Sequence, residues 1–388
     1  MNKTGSSAAD HRSIATVSGV SGRKRVRRLP AALACAAIAV AVAACGSAGT
    51  GSGGGQAPAA GSSNGSAPSG GNLSSVTIGK AVDTIGFTTV DVAQANGYFA
   101  KEGVKTSSEL LSGSSTAFAA LQSGSVNFVA ASSTALLNAK AKGLPLEAVA
   151  SMDYGVSLQL LVSNKWVKSH GLSANQPLNT VMAKMVGAKL GVLSTTDLTY
   201  DHYLEQQAGI APNKLTYINI SSQSAALAGL KYGEIDAFLL SPPAGYFAQS
   251  QGGATVIATL HQVPQLANMA YDALIVDTDW AKSHSSEVSA VATAIAMADN
   301  AMKNSPQTVL TTEKRHYPQM ADSILMDSLQ YVTFAQNGLF TEQMWQDALS
   351  EFKTTTATST SGIDISENGS TWTNQYIKTS ALSGSSAS

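Results

Sequence analysis

The sequence predicts an α/β protein with two similar lobes, each built on a doubly wound, mainly parallel sheet. From Val76 onward, short β-branched runs alternate with Ala-rich helical segments at the spacing of β-α-β units. This order of elements occurs twice along the chain. An apolar run also stands where each half ends, at residues 158–163 and 272–277. We interpret these runs as hinge strands that carry the chain into the second lobe and back.

The first half contains four predicted strands and three predicted helices. The strands cover residues 76–82, 104–111, 126–130 and 146–151. The helices cover residues 89–101, 115–122 and 133–142, and each ends near a glycine, the usual residue after a helix C-terminus.

The second half repeats this pattern. Its predicted strands cover residues 189–193, 215–220, 235–240 and 254–260, and its predicted helices cover residues 198–208, 225–231 and 245–251. In both halves the unit is strand, Ser-rich turn, Ala-rich helix, glycine and strand, with Gly124 and Gly233 at equivalent places. Two such halves joined by crossing segments form a cleft.

The rest of the folded body is helical in pattern over residues 281–352, where apolar residues follow helical spacing. We expect lobe 1 to contain residues 76–160 and 274–355, and lobe 2 to contain residues 161–273. The Ser/Thr-rich tail, residues 356–388, is expected to be partly disordered, and its stretch at 372–377 is a candidate for docking on the body.

The first 75 residues have the pattern of an export signal and a tether. A basic segment, residues 23–28, precedes an Ala-rich apolar run at residues 29–44. The run ends at Val-Ala-Ala-Cys45-Gly, which resembles the bacterial lipobox and implies a signal peptide over residues 1–44 and a lipidated Cys45. Residues 45–75, rich in Gly and Ser, are expected to be a flexible linker. An ordinary signal peptide with a chance cysteine is the alternative.

Charge and cysteine content exclude several classes of protein. Residues 1–44 hold seven Lys/Arg and one acidic residue, so the rest of the chain has a formal charge of −7. A nucleic-acid binder needs a basic face, which this balance argues against. Two cysteines cannot build a disulfide scaffold or a Cys-rich zinc site.

Short polar turns stand at the carboxyl ends of the predicted strands, where open parallel sheets bind ligands. Most of these turns precede a helix, whose free N–H groups and partial positive charge attract an anion. Helix capping alone explains Ser, Thr or Asp at any one turn, but six turns at matching strand ends favour a cleft. The candidate ligand-binding residues are Asp83, Thr84, Ile85, Gly86, Phe87, Gly113, Ser114, Ser115, Ser132, Ser133, Tyr154, Ser194, Thr195, Thr196, Ser221, Ser222, Gln223, Ser241 and Pro242.

Several motifs resemble those of solute-binding proteins of ATP-binding-cassette (ABC) importers. Residues 96–104, NGYFAKEGV, are similar to the GYFxKEGL signature of this family. Residues 119–127 (AALQSGSVN) and 226–237 (ALAGLKYGEIDA) are similar to its AALxSGxVD and ALxAGxVDA motifs. Residues 142–145 (KGLP) and 185–192 (MVGAKLGV) resemble KGxP and LKGKKIGV. The matching branch handles sulfonates, taurine, nitrate and thiamine-pyrimidine precursors.

The resemblance implies a type II periplasmic-binding-protein-like fold and a monomeric, extracytoplasmic protein anchored to the bacterial cell membrane by lipid. It implies closure on a small-molecule solute, delivery to an ABC permease and its ATPase, and no cofactor. The cleft turns contain no Arg that would clamp a sulfonate or carboxylate. The solute class therefore stays open among sulfonates, nitrate, carboxylates and pyrimidines.

Two other functions stay as alternatives. A pyrimidine synthase of the same wider superfamily depends on a His and a Cys-rich segment, and Cys45 is the only cysteine expected after signal cleavage. Of the histidines after the signal, none stands at metal-ligand spacing, so we predict no catalytic residue and no metal site. A sensory or adhesive binding module is the second alternative.

Overall fold

Five strands form a first sheet in which four strands run in one direction and one opposes them. The computed structural model describes residues 74–382. The strands are β1 (Ser74–Lys80), β2 (Val104–Leu110), β3 (Phe128–Ser132), β4 (Leu146–Ser151) and β11 (Asp272–Asp277). Their order is β2-β1-β3-β11-β4, with β1 parallel to β2 and β3 and with β11 antiparallel to β3 and β4.

The second sheet repeats this arrangement. Its strands are β6 (Gln159–Ser163), β7 (Lys189–Val192), β8 (Thr216–Asn219), β9 (Ala237–Leu240) and β10 (Ala254–Thr259). Their order is β10-β6-β9-β7-β8, with β7 parallel to β8 and β9 and with β6 antiparallel to β9 and β10. We call the first sheet with its helices lobe 1 and the second sheet with its helices lobe 2.

The two predicted hinge strands hold the same place in the two sheets. Each lies between the third and fourth strands of its lobe and runs against both: β11 in lobe 1 and β6 in lobe 2. The prediction of two similar α/β lobes joined by these strands is confirmed. The exact residue limits of the lobes stay a prediction.

Helices cover both sheets and continue past the last strand of lobe 1. Those around the first sheet are α1 (Thr88–Ala95), α2 (Tyr98–Lys101), α3 (Ser114–Gln122) and α4 (Ser133–Ala141). Those of lobe 2 are α5 (Asn164–His170), α6 (Leu178–Ala183), α7 (Thr195–Gln207), α8 (Gln223–Tyr232) and α9 (Ala244–Ser250). The C-terminal helices are α10 (Thr278–Ser283), α11 (Ser285–Asn304), α12 (Pro306–His316), α13 (Asp322–Leu329), α14 (Glu342–Thr355) and α15 (Thr379–Leu382).

Helix α11 is the central packing element of lobe 1. Its apolar residues recur at helical spacing, and Val288, Val291 and Ile295 are fully buried. Burying an aliphatic side chain of this size contributes about 1.5–3 kcal/mol relative to leaving it exposed. α11 packs against α1, α2, α12 and β4. Helix α11 therefore packs on lobe 1, whereas α13 and α14 also contact α9 and α7 of lobe 2.

Two helical regions differ from the sequence prediction. The helix predicted over residues 89–101 is two helices, because Gly97 between α1 and α2 has a left-handed backbone with φ of 69°. Helices α5 and α6 were not predicted. They are short, and the two large apolar residues of α5, Trp166 and Val167, are adjacent in sequence and therefore set no helical period.

The Ser/Thr-rich tail lies on lobe 1 as far as Leu382. Ala148 of β4 donates a hydrogen bond to the carbonyl of Thr371 (2.9 Å) and accepts one from the N–H of Thr373 (3.0 Å). Trp372 between them is buried, which confirms the predicted docking of residues 372–377. The last six residues of the chain lie outside the described range.

A short two-stranded sheet joins the first crossing segment to the C-terminal region: β5 (Asp153–Tyr154) pairs with β12 (Thr333–Phe334). Within residues 74–382 we find no helix long and apolar enough to cross a membrane. The predicted signal peptide, the lipidated Cys45 and nearly all of the predicted linker lie outside the described residues.

Candidate functional site

A cavity of about 360 Å³ lies between the carboxyl ends of the two sheets. Lobe 1 contributes the segments that follow β1 and β2. Lobe 2 contributes the segments that follow β7 and β8, together with the start of α9. A loop after α12 completes the wall with Tyr317, Gln319 and Met320. Both lobes and a distant C-terminal loop therefore surround one space.

The lobe 2 wall is rich in hydrogen-bonding groups without charge. It contains Ser221, Ser222, Gln223 and Ser224, at the beginning of α8. The Ser222 hydroxyl accepts a hydrogen bond from the N–H of Ala225 (3.1 Å) and so caps α8. The hydroxyl and amide groups here can both donate to and accept from a bound molecule.

The lobe 1 wall contains the beginning of a second helix and one acidic residue. Gly113 caps α3 with φ of 91°, and a Cβ on it would approach the Leu193 carbonyl of lobe 2 to 3.5 Å. The left-handed backbone favours a glycine here, and the distance to Leu193 shows that the two lobes are within van der Waals contact at this point. Asp83, half-buried, follows β1 and also lines the cavity.

The residues after Asp83 turn inward instead of facing the cavity. Residues Ile85–Phe87 form a single 3₁₀ turn, and Thr84, Ile85, Gly86 and Phe87 are all buried. The N–H of Ile85 donates to the Pro242 carbonyl of lobe 2 (3.1 Å). This turn therefore forms a direct contact between the lobes.

Gly86 rests against a pair of buried carboxylates where the two crossing segments meet. The N–H of Asp272 donates to Asp153 Oδ1 (2.8 Å), and both side chains are buried. Burial raises the pKa of both carboxyls, to about 7 for Asp272, and the neighbouring Asp272 carboxylate raises the pKa of Asp153 further. A Cβ on Gly86 would overlap the Asp272 carboxylate and lie 2.8 Å from Asp153 Oδ2.

Three other predicted site residues are buried in contacts outside the cavity. Ser132 Oγ lies 2.8 Å from Thr196 Oγ1, so these two residues link lobe 1 to lobe 2. Beside them Thr134 Oγ1 lies 3.1 Å from the Tyr200 hydroxyl, a second link. Ser133 donates to the Ala270 carbonyl of the returning crossing segment (2.5 Å). These hydroxyls hold the lobes together in this structure.

The remaining predicted residues are spread over neighbouring places. Ser114, Ser115 and Thr195 line a smaller cavity of about 190 Å³ between α3, α4 and the start of α7. Ser194 caps α7, and Asp197 accepts from its N–H (3.0 Å) in a reciprocal capping box. Ser241 follows β9 and is half-buried.

Tyr154, the aromatic residue preferred from the sequence, lies elsewhere. It pairs with Thr333 of β12 and lines a separate cavity of about 240 Å³ against α11, α12 and α13. Of the residues predicted for the site, the structure brings Asp83, Gly113, Ser221, Ser222 and Gln223 to the interlobe cavity.

Sequence reasoning missed the apolar and C-terminal parts of the wall. Phe247 of α9, Tyr317 and Met320 line the cavity. The available signal was the polar break between α12 and α13, where His-Tyr-Pro-Gln interrupts two helical patterns. Its distance along the chain from every strand end gave no reason to place it at the cleft.

Acidic side chains lie in and behind the lobe 1 wall of the cavity. Burial raises the pKa of Glu313 to about 7, and the Asp83 carboxylate contributes to that rise. Burial, Asp83 and Glu313 together raise the pKa of Tyr317. The nearby Lys80 ammonium contacts Asp91 Oδ2 (2.8 Å), and His316 Nε2 lies 3.5 Å from the same oxygen. Within residues 74–382 we find no cluster of His, Cys, Asp and Glu suited to a metal ion.

Two sheets of one strand order, joined by two hinge strands with a cavity between them, define a two-lobed periplasmic-binding-protein fold of type II. A family model described as NMT1/THI5 like matches residues 84–309, more than half of the chain. The chain therefore belongs to the NMT1/THI5-like family, and the family suspected from the motifs is confirmed. No curated protein matches the chain significantly.

Solved structures share the fold at low sequence identity. A protein from Bordetella bronchiseptica RB50 is 19% identical with a TM-score of 0.68, over 78% of this chain and 95% of its own. The alkanesulfonate-binding protein SsuA from Xanthomonas axonopodis pv. citri, bound to MOPS, is 14% identical with a TM-score of 0.59, over 77% and 98%. The periplasmic nitrate-binding protein NrtA from Synechocystis PCC 6803 is 16% identical with a TM-score of 0.56, over 69% and 73%.

Proposed function

We propose that this protein is the extracytoplasmic solute-binding component of an ABC importer, which captures a small polar or anionic solute between its lobes. One observation carries the proposal: the cavity of about 360 Å³ has walls from both lobes at the carboxyl ends of their sheets. A solute there touches both lobes at once. The family and the solute-binding proteins that share the fold support the same function.

The mechanism follows from differential binding to open and closed states. The lobes are connected by the two crossing segments, which can rotate them as hinges. A solute that contacts Gln223 in lobe 2 and the β1–α1 turn in lobe 1 stabilises the closed state by the contacts available only there. Two contacts join the lobes without a solute and would help to hold the closed state. They are the hydrogen bond between the Ser132 and Thr196 hydroxyls and the one from the N–H of Ile85 to the Pro242 carbonyl.

Binding is favoured over catalysis by the chemistry of the cavity wall. Among the described residues that line the cavity, none is His, Cys or Lys, so the serines of the wall have no imidazole or amine beside them in the wall to activate a hydroxyl as a nucleophile. Asp83 and Tyr317 are its titratable side chains. We expect the solute to leave unchanged, to be received by a permease and its ATPase, and the protein to act as a monomer.

The test combines identification of the solute with a measurement of closure. Native mass spectrometry of protein purified from its own host identifies a bound molecule, and small-angle scattering compares the radius of gyration with and without it. We expect contraction at saturation. An unchanged radius at saturation would contradict closure, and chemical conversion of the molecule by the purified protein would contradict a carrier function.

The lipid anchor is a separate proposal that depends on the sequence of residues 1–75. The lipobox-like segment ends at Cys45, and the Gly/Ser-rich linker would hold lobe 1 away from the membrane surface. Cys45→Ala should leave the protein unprocessed and without incorporated labelled fatty acid. Labelling that persists in this variant would rule out Cys45 as the anchor.

A further inference from the structure

The cavity has an uneven distribution of charge. Asp83 is the only charged residue among the described residues that line it. The other polar groups of the wall are hydroxyls and amides, including Ser222, Gln223, Tyr317 and Gln319. A bare anion entering this space meets a carboxylate and no cationic side chain.

The basic side chains closest to Asp83 along the chain and around the C-terminal loop do not line the cavity, and Arg315 among them is exposed. Lys80 contacts Asp91 Oδ2 (2.8 Å), and His316 shares that carboxylate. Lys314, just before the loop, contacts Asp322 Oδ1 (2.7 Å). None of these side chains forms an ion pair with Asp83.

A second acid, Glu313, is buried behind Asp83. Glu313 accepts a hydrogen bond from the Thr88 hydroxyl and is buried. The mutual repulsion of Asp83 and Glu313 is part of what raises the pKa of Glu313 to about 7. The Tyr317 hydroxyl is the protein's own hydrogen-bond partner for Asp83. A carboxylate accepts several hydrogen bonds, so a donor group on the solute can share Asp83 with Tyr317.

We propose that Asp83 selects the solute by binding a cationic or N–H-donating nitrogen, so that the solute is a small zwitterion or an amine- or amidine-bearing polar molecule. The hydroxyl and amide groups of the lobe 2 wall then bind its oxygen-bearing end, and Leu111, Phe247 and Met320 pack against its carbon atoms. This inference rests on the proposed function. It excludes nitrate and simple alkanesulfonates as the main solutes.

The test uses pairs of probes that differ only in the nitrogen: taurine against isethionate, and β-alanine against 3-hydroxypropionate, with agmatine and nitrate as further probes. Calorimetry on the purified chain should show that a nitrogen-bearing probe binds at least tenfold more tightly than its hydroxyl counterpart or than nitrate. Asp83→Asn should abolish that preference. Asp279→Asn, which removes an exposed carboxylate on α10, is the matched control and should retain it.

Three results would overturn the inference: nitrate or a hydroxyl probe binding as tightly as its amine counterpart, a preference that survives Asp83→Asn, or no binding by any nitrogen-bearing probe. The proposed function fails differently. If an anion without nitrogen binds and contracts the protein in small-angle scattering, the carrier function stands and the selectivity proposal falls. If a bound probe is converted chemically, the carrier function itself falls.

Discussion

Each lobe has an aspartate shortly after the first of its parallel strands, β1 or β7, and the two lobes use this aspartate in opposite ways. Asp197, after β7, accepts hydrogen bonds from the N–H groups of Leu193 (2.9 Å) and Ser194 (3.0 Å) and completes the capping box of α7. Asp83, after β1, accepts no backbone hydrogen bond within the described chain and lines the cavity. Asp197 is used inside its own lobe, whereas Asp83, with the Tyr317 hydroxyl as its protein partner, stays accessible from the cavity.

The difference teaches that repeated topology does not imply repeated chemistry. The two sheets have the same strand order, but only lobe 1 brings a carboxylate to the cleft, and lobe 2 brings hydroxyls and amides. An acid that caps a helix stabilises the fold, whereas an acid in the cavity wall that accepts no backbone hydrogen bond contributes little to stability and can accept a donor from a ligand. We therefore expect substitutions at the two corresponding sites to differ in effect: substitution of Asp197 should reduce stability, and substitution of Asp83 should change binding.

The largest loss of stability is expected from a substitution at Gly86, in the turn that follows β1 of lobe 1. In Gly86→Ala the new methyl group would overlap the buried Asp153–Asp272 pair, and we expect a loss of about 3 kcal/mol in the free energy of unfolding. The measurement is urea unfolding. Gly253→Ala in lobe 2, where the nearest atom to a Cβ is 4.0 Å away, is the control and should stay near the wild type. Equal stability of Gly86→Ala would show that the pair can move aside.

A third acid, Glu351 of α14, neither caps a helix nor faces the cavity, and it provides a pH test. Burial raises its pKa to about 8, so between the unfolded value near 4.5 and 8 the folded state binds a proton that the unfolded state has lost. Stability contributed by this group therefore falls as pH rises, by at most about 1.4 kcal/mol per unit.

Glu351→Gln removes this titration. Its stability relative to the wild type should rise by about 2 kcal/mol between pH 5 and pH 7 and level off above pH 8. Urea unfolding at several pH values measures the difference. A difference that does not change with pH would contradict a raised pKa at this position.

The two aspartates themselves give the most direct comparison. Asp197→Ala removes the acceptor for two N–H groups at the start of α7 and should cost about 1–2 kcal/mol of stability. Asp83→Ala removes no backbone hydrogen bond and should change stability by less than about 0.5 kcal/mol. Denaturant midpoints of the two purified variants measure which one is less stable. If Asp83→Ala were the less stable variant, the assignment of a structural role to Asp197 and a binding role to Asp83 would be wrong.

A small change in stability and in shape is expected when the hydroxyl contact between Ser132 of lobe 1 and Thr196 of lobe 2 is removed. Thr196→Val removes the partner of Ser132 Oγ, which keeps its capping bond from Ala135, so we expect a loss of less than about 1 kcal/mol. The solute-free protein should have a larger radius of gyration, because a closed-state contact is missing. Thr199→Val, which loses a bond only within α7, should leave the radius unchanged. Identical scattering of both variants would remove Thr196 from the closing contact.

The sequence predicted the architecture because the relevant signals are local. Strands β4 and β11 are short, apolar and β-branched or small, and Gly124 and Gly233 mark matching ends of helices. The repeated order of elements predicted two similar lobes, and the structure adds the order of the strands within each sheet. Helix α5 could not be predicted, because a half-exposed short helix has no apolar period.

The cavity was only partly predictable because it depends on how two separately encoded surfaces meet. Ser132 and Ser222 are both serines that cap helices at strand ends, yet Ser132 contacts Thr196 of the other lobe and Ser222 lines the cavity. No local pattern distinguishes them. Tyr317 and Met320 come from a loop far along the chain, so only the packing of α12 and α13 against lobe 2 brings them to the wall.

The position of β11 imposes an order on how the polypeptide can be assembled. All strands of the second sheet come from one uninterrupted stretch, Gln159 to Thr259, whereas β11 must insert between β3 and β4 after that whole stretch. Prior folding of the inserted stretch shortens the loop that has to close, and loop closure is the entropic obstacle to such distant pairing. A chain truncated after Thr259 would complete its second sheet but leave an empty slot in the first, with the edges of β3 and β4 open to other chains.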